Sequence, residues 1–463
     1  RILALIMNRR DFLTGSLTAL AVSNLPLALS AAAEKPLTRK SGRPPRILLR
    51  GSWQSVNIGD IGHTPGALRL IEKYFPEAEV TLWHGMLGHG SDTFLKNAFP
   101  RLNYVTGVVG PNDQPSTPAL AAAWKDNDFL MHGSGSGFGA RGQLAAWHRA
   151  TGKPFGIFGV SDDPISGFGG TRVPEGGSLA ELKAAAEKLP PSHLDDQTRW
   201  VIERSSFMFT RETLTRDYYL AQKVRAPLLE FGPDAQLGMS DRDDVRGDAF
   251  LARHGLEKGK FICVVPRARY TPYYRMNGRK RVPDDDIKDD LNARWQESDH
   301  SKLRDLIVRY VRATKNKVLA CAEVTYQIEL AKEALVDPLP PDVKPYVVWR
   351  DTFWLPDEAA SIYAQATAII CLDCHSPLIA YHHGTPAFYV RNATDTWKGQ
   401  MYNDIGVSDW LFEADHTSGE ELWSRLAPLH AEPQKARARV KTVMAGVEKH
   451  QKRMIGALKS ALI

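Results

Sequence analysis

His375 stands in the run Leu372-Asp373-Cys374-His375-Ser376, directly after the apolar stretch Ala368 to Cys371. An imidazole at the end of a buried strand is well placed to give or take a proton near neutral pH. Far upstream, the segment Gly51 to Asp60 sets Asn57, Gly59 and Asp60 between a β-rich run and a helical one. Such a strand–loop–helix turn offers backbone N–H groups and a positive dipole end to an anion. The carboxylate of Asp60 would then face a cleft, either as a base or to orient a partner. Each of these residues also has a plainer reading, as a tight βα connection or a structural salt bridge.

Other polar groups follow the ends of apolar runs, where open α/β sheets place ligand contacts. They are Thr210-Arg211-Glu212, Gly232-Pro233-Asp234, Pro266-Arg267-Ala268-Arg269 and Trp397-Lys398-Gly399. The run His132-Gly133-Ser134-Gly135-Ser136-Gly137-Phe138-Gly139 lets backbone come close to a ligand or take positive φ. It has neither the G-x-G-x-x-G order nor a following Lys-Ser/Thr, which excludes the dinucleotide fingerprint and the P-loop.

The elements that position these groups alternate short β-rich runs with helical stretches, the sign of stacked βαβ units and a parallel sheet. Strands are expected at Ile47 to Arg50, Val80 to Trp83, Phe129 to His132, Phe155 to Val160, Phe207 to Thr210 and Leu228 to Phe231. A helix is expected from Thr64 to Phe75, with Pro65 in its first turn. After a linker from Gly238, a second set of strands begins at Phe261 to Val265 and continues at Lys317 to Ala322, Tyr346 to Trp349, Ala368 to Leu372 and Ala387 to Val390. The fold class is therefore α/β, with two Rossmann-like doubly wound domains at 46–238 and 239–430 and a cleft between them. Residues 431–463 read as a basic amphipathic helix that closes the structure. The polar stretch Tyr270 to Ser298, with its tyrosines and arginines, reads as a flexible insertion or a substrate lid.

The cysteines, Cys263, Cys321, Cys371 and Cys374, are too few and too clustered for a disulfide framework. Cys371-x-x-Cys374-His375 matches the spacing of c-type haem attachment, but its single copy on a buried-strand pattern ranks that reading low. No second Cys/His pair has the spacing of a zinc site.

Taken together, Asn57-x-Gly59-Asp60, the 132–139 turn, Arg211-Glu212, Pro233-Asp234, His375, Gly384-x-Pro386 and Lys398 resemble the polysaccharide pyruvyl transferase family over roughly Arg46 to Asp415. The resemblance implies a GT-B-like architecture and transfer of pyruvate from phosphoenolpyruvate to two sugar hydroxyls as a cyclic ketal. It implies His375 as general acid, Asp60 as base, and Arg211, Arg267 and Lys398 as cations on the donor. Asn57, Gly59, His132, Gly133, Ser134, Glu212, Asp234, Arg269 and Asp373 complete the expected substrate-binding set, with no metal or cofactor. Asp373 and Cys374 fill the stretch where the family usually carries an arginine.

The stretch Asn8-Arg9-Arg10-Asp11-Phe12-Leu13, a mildly apolar segment to Leu29 and Ala31-Ala32-Ala33 read as a twin-arginine export signal at 1–33. That predicts passage through the twin-arginine translocase to the periplasm or exterior. The apolar segment is too polar and too short for a stable membrane span. Export leaves a true transferase without phosphoenolpyruvate, a cytoplasmic metabolite, so a hydrolase acting on polysaccharide with the same fold is the alternative. A non-catalytic glycan-binding or haem protein is the third reading. A formal charge of +6 over 463 residues is mild, and no basic stripe interleaves with aromatics, so nucleic acid is not an expected partner.

Overall fold

The computed structural model describes residues 42–166, 176–276 and 278–462. The twin-arginine run lies outside them. The first sheet holds β1 (Arg46–Gly51), β2 (Glu79–His84), β3 (Asn103–Val105), β4 (Phe129–His132), β5 (Phe155–Val160), β6 (Met208–Thr210) and β7 (Leu229–Phe231). The second holds β8 (Phe261–Val265), β9 (Lys317–Ala320), β10 (Val347–Trp349), β11 (Ala368–Cys371), β12 (Ala387–Arg391) and β13 (Leu411–Glu413). Every pairing is parallel.

The spatial orders are 3-2-1-4-5-6-7 and, starting from β10, 10-9-8-11-12-13. Each order reverses once, between β1 and β4 and between β8 and β11. The crevice at such a reversal is where open parallel sheets bind ligands. The loops that leave β1, β4, β8 and β11 carry Asn57 to Asp60, the glycine-rich turn, Arg267 and His375. Central strands β4, β5, β8, β11 and β12 are buried along their whole length. This is what helices on both faces of a parallel sheet require, and it explains their unbroken apolar runs.

Several elements are absent from the sequence reading, among them two strands and a short helix. Strands β3 and β13 are only three residues long and lie at sheet edges, so neither needs an apolar run. The helix Ser91–Ala98 is eight residues long and starts after Gly90, whose φ is +88°.

Two expectations need correction. The first helix runs from Ile58 to Tyr74, six residues earlier than read, because the Asn57 side chain caps it by accepting from Gly59 N and Asp60 N. Pro65 therefore lies inside the helix, where it removes the bond to the Ile61 carbonyl. The second correction concerns Tyr270 to Ser298. A 32-residue helix, Pro283–Thr314, occupies its second half. That half shows no apolar stripe because acidic residues at the N-terminal turn and arginine–aspartate pairs support it instead (Arg279–Asp285, Arg281–Asp286).

Gly59, Gly62 and Gly66 form a stripe along the Ile58–Tyr74 helix. A Cβ at Gly62 would sit 2.7 Å from Gln236 Nε2, and one at Gly66 would sit 2.1 Å from the Ala235 carbonyl oxygen. The stripe lets the helix lie directly on the turn that carries Asp234. Gly66→Ala is expected to lower unfolding free energy by about 1–3 kcal/mol in urea titration. An unchanged midpoint would mean that the 235 turn gives way freely.

The C-terminal helix Pro433–Ala461 ties the two halves together. Val440 and Val447 enter the core of the second sheet, and Met454, Ile455 and Leu458 enter that of the first. Among the described residues, no helix is long and apolar enough to cross a membrane.

Candidate active site

The two halves meet through backbone at the capped turn. Ile58 N donates to the Glu323 carbonyl at 2.9 Å, and Thr325 N donates to the Val56 carbonyl at 3.0 Å. Gly59 is where the His375 ring rests, since a Cβ there would fall 2.3 Å from His375 Nδ1. Asn57, Gly59 and Asp60 of the front half are thus brought against His375 of the rear half.

Two buried imidazoles occupy this junction. His375 Nδ1 lies 3.1 Å from Glu323 Oε1, and the Glu323 carboxylate also accepts from Ser376 N at 2.6 Å, Ser376 Oγ at 2.9 Å and His375 N at 3.2 Å. Glu323 therefore caps the helix His375–His382 and holds the ring at once. Burial works against charge on His375, but the Cys374 sulfur at 3.5 Å and Glu323 outweigh it and raise its pKa well above the ordinary range. Burial and Asp373 push the Glu323 carboxyl up, while its four donors favour the charged form. The ionised pair is the state those donors stabilise.

His63 is the second imidazole. Its Nδ1 lies 2.8 Å from Asp234 Oδ1, and its ring meets that of His375 edge-on at 5.0 Å between centroids. Asp234 also accepts from Arg211 Nη1 at 2.8 Å, Gln236 N at 2.9 Å and Ser134 Oγ at 3.2 Å. Burial alone would raise the Asp234 carboxyl, but His63 and Arg211 hold it far below the usual carboxylate range. Asp60 Oδ1 lies 3.9 Å from His63 Nε2.

The expected cations are all engaged with carboxylates. Arg211 is fully buried on Asp234. Arg267 pairs with Asp395 and, at 3.3 Å, with Asp373. Lys398 lies 3.2 Å from Asp395 and 3.8 Å from Asp373. Burial raises the Asp373 carboxyl and Arg267 lowers it, with a net fall below the ordinary value.

Arg269 is not brought to this junction. It pairs with Asp299 and Asp415, stacks on Trp295 at 4.0 Å and lines a separate cavity of about 270 Å³. Glu212 is buried as the cap of the helix Thr213–Ala221, bonded to Thr215, and burial lifts its carboxyl to about 8. His132 is buried between Trp53 and Phe138, with Nδ1 2.6 Å from the Gly133 carbonyl, and burial lowers its pKa to about 4. Gly133 packs on β1, where a Cβ would meet the Arg50 carbonyl at 2.9 Å. His132 and Glu212 thus serve as supports in this structure, behind the wall that substrate would touch.

That wall encloses a cavity of about 310 Å³ lined by Trp53, Gln54, Asp60, Gly135, Ser136, Gly137, Gly139 and Tyr273. The Trp53 indole donates to the Ser134 carbonyl at 2.8 Å, and it lies so close that a Cβ on Gly135 would be 2.9 Å from its nitrogen. Tyr273, from the segment read as insertion or lid, also lines the cavity, its hydroxyl accepting from Gln54 Nε2 at 3.4 Å.

The polysaccharide pyruvyl transferase family model matches residues 57–394, from the capping Asn57 to just past β12. The chain belongs to this family. No curated protein matches it in sequence. Among solved structures, the Anabaena protein HepE in complex with UDP and glucose is 12% identical, covers 90% of this chain and 100% of its own, and has a TM-score of 0.51. A Listeria monocytogenes protein described as a UDP-N-acetylglucosamine 2-epimerase is 11% identical, with 90% and 96% covered and a TM-score of 0.53. S. aureus MnaA with UDP is 10% identical, with 90% and 96% covered and a TM-score of 0.52. At these identities the likeness is one of fold, the two-sheet GT-B-like arrangement.

Sequence reasoning missed two residues of this pyruvyl transferase fold. Glu323 follows β9 as the other site groups follow their strands, and that position was the available signal. His63 was hidden by the late helix start; with the helix begun at Ile58, Asp60 and His63 fall three apart on one face.

Among the described residues, two clusters bring metal-ligand types together, with ligand atoms within 4.8 Å: His63, Asp234 and His375, and Asp373, Cys374 and His375. In both, the carboxylate already holds an arginine or lysine, which a divalent ion would have to displace. Cys371 and Cys374 are fully buried in the second core, so thioether attachment of a haem would require opening that core.

Proposed function

We propose that the chain transfers pyruvate from phosphoenolpyruvate to two hydroxyls of a glycan, forming a cyclic ketal beside Asp60. The observation that carries this is the Glu323-held His375 resting on the turn that presents Asp60 to the cavity. His375 gives its proton to the donor's methylene carbon, which becomes the methyl group, and positive charge develops on the adjacent carbon. The first sugar hydroxyl adds there while Asp60 takes its proton. The second hydroxyl displaces phosphate, which leaves with the remaining hydroxyl proton. No cofactor enters this balance. Trp53 and Tyr273 supply faces for sugar rings.

One observation favours a second reading. Arg211, Arg267 and Lys398 are each paired with aspartate, so a dianionic donor meets no unpaired cation among them. With water in place of the donor, the same acid and base would cleave a pyruvate ketal or a sugar linkage, which also suits an enzyme exported by the twin-arginine route to the periplasm or exterior. Incubation of the chain with plain and pyruvylated polysaccharide, with and without phosphoenolpyruvate, separates the two. Phosphate release with a new ketal methyl signal supports transfer; free pyruvate without donor supports hydrolysis.

Glu323→Gln gives a further check. Activity requires the His375 proton, so kcat falls as pH rises through the raised pKa of that ring. Without the carboxylate this fall is expected at lower pH, by roughly one unit, with kcat down roughly ten- to a hundredfold. A pH profile that does not move would remove Glu323 from the acid's control.

A further inference from the structure

We infer that His63 is a relay residue that returns the acceptor's proton from Asp60 to His375 between turnovers. The inference rests on the transferase reading above. In that reaction each cycle leaves His375 one proton short and Asp60 with one in excess. Both His375 and His63 are almost wholly enclosed, at 4% and 1% exposure. Of the three groups, Asp60 lines the cavity, and a route through His63 returns its proton without opening the junction.

His63 is built for it. Its Nδ1 is anchored on Asp234, which Arg211, Ser134 and Gln236 fix in turn. Its Nε2 and that of His375 are both buried without a hydrogen-bond partner among the described residues. Asp60 stands 3.9 Å from the free nitrogen of His63, and the His375 ring stands edge-on at 5.0 Å. One ring nitrogen of each imidazole lies within 4.8 Å of one on the other, and a small pivot about the Asp234 bond, or one water, closes that gap and the gap to Asp60.

In the step, His63 Nε2 takes the proton from the Asp60 carboxyl and becomes imidazolium, with Nδ1–H still on Asp234. It then passes the Nε2 proton to the lone pair of His375 Nε2. Asp60 ends as carboxylate, His63 neutral and His375 charged on Glu323. No bond other than N–H and O–H changes.

The test uses the full chain with phosphoenolpyruvate and an acceptor polysaccharide, following phosphate release by wild type and His63→Gln, whose amide keeps a donor to Asp234. The expected result is a single-turnover rate within about threefold of wild type and a steady-state rate at least about thirtyfold lower, restored in part by imidazole buffer. Equal losses in both phases, or no loss, overturn the relay. Should His63→Gln fail to fold, the wild type decides: kcat independent of buffer concentration supports an internal route, and a linear rise with buffer overturns it. No phosphate release by wild type at all overturns the transferase reading, and the relay with it.

Discussion

His375→Gln is expected to lower kcat for pyruvyl transfer by about 10²–10⁴-fold, the usual contribution of a positioned general acid. Glutamine retains a donor toward Glu323 and fits against Gly59, so unfolding free energy should fall by less than about 1 kcal/mol. Alanine is a poorer probe. The His375 ring is enclosed, and its loss removes one donor from the buried Glu323 carboxylate. His375→Ala should therefore lose activity and also about 1–3 kcal/mol. Urea titration beside steady-state kinetics checks both variants. A glutamine variant that keeps near-normal turnover would assign the proton to another group.

The largest stability effect is expected at Arg211. Its guanidinium is fully buried, donating to Asp234 Oδ2 at 2.8 Å and to Ser161 Oγ at 2.7 Å. Arg211→Met leaves the Asp234 carboxylate enclosed with only His63, Ser134 and Gln236 as partners. Breaking a buried pair from one side costs about 3–5 kcal/mol. The pH dependence gives a second readout. The Asp234 carboxyl is depressed in the folded state, so its contribution is present above the unfolded value near 4 and is lost as pH falls. The variant should lose part of that acid sensitivity together with its midpoint. A loss below about 1 kcal/mol would mean that His63, Ser134 and Gln236 satisfy Asp234 without the guanidinium.

Much of this site lies where the sequence points. Each motif follows a run of apolar residues, and a parallel sheet buried on both faces leaves only strand ends free to carry polar groups. Asn57, Asp60, Asp234 and His375 come together for that reason. What the sequence does not show is which charges find each other in space. Arg211 with Asp234, and Arg267 with Asp395, are pairings set by tertiary packing, so cations that read as donor clamps turn out to be held. Arg269 follows the same strand as Arg267, two residues on, yet reaches a different cavity. The first half of the Pro283–Thr314 helix is illegible for another reason, whereas Ser301 to Thr314 reads as helical. Its first turns face solvent, and charge pairs rather than an apolar stripe support them.

The most direct measurement is the reaction of phosphoenolpyruvate and acceptor polysaccharide in deuterium oxide, with the product examined by NMR. Proton delivery to the donor carbon predicts a ketal methyl group carrying a single deuterium, released at the rate of phosphate. A product formed without deuterium in its methyl group, or phosphate-independent appearance of unlabelled pyruvate, would contradict the account.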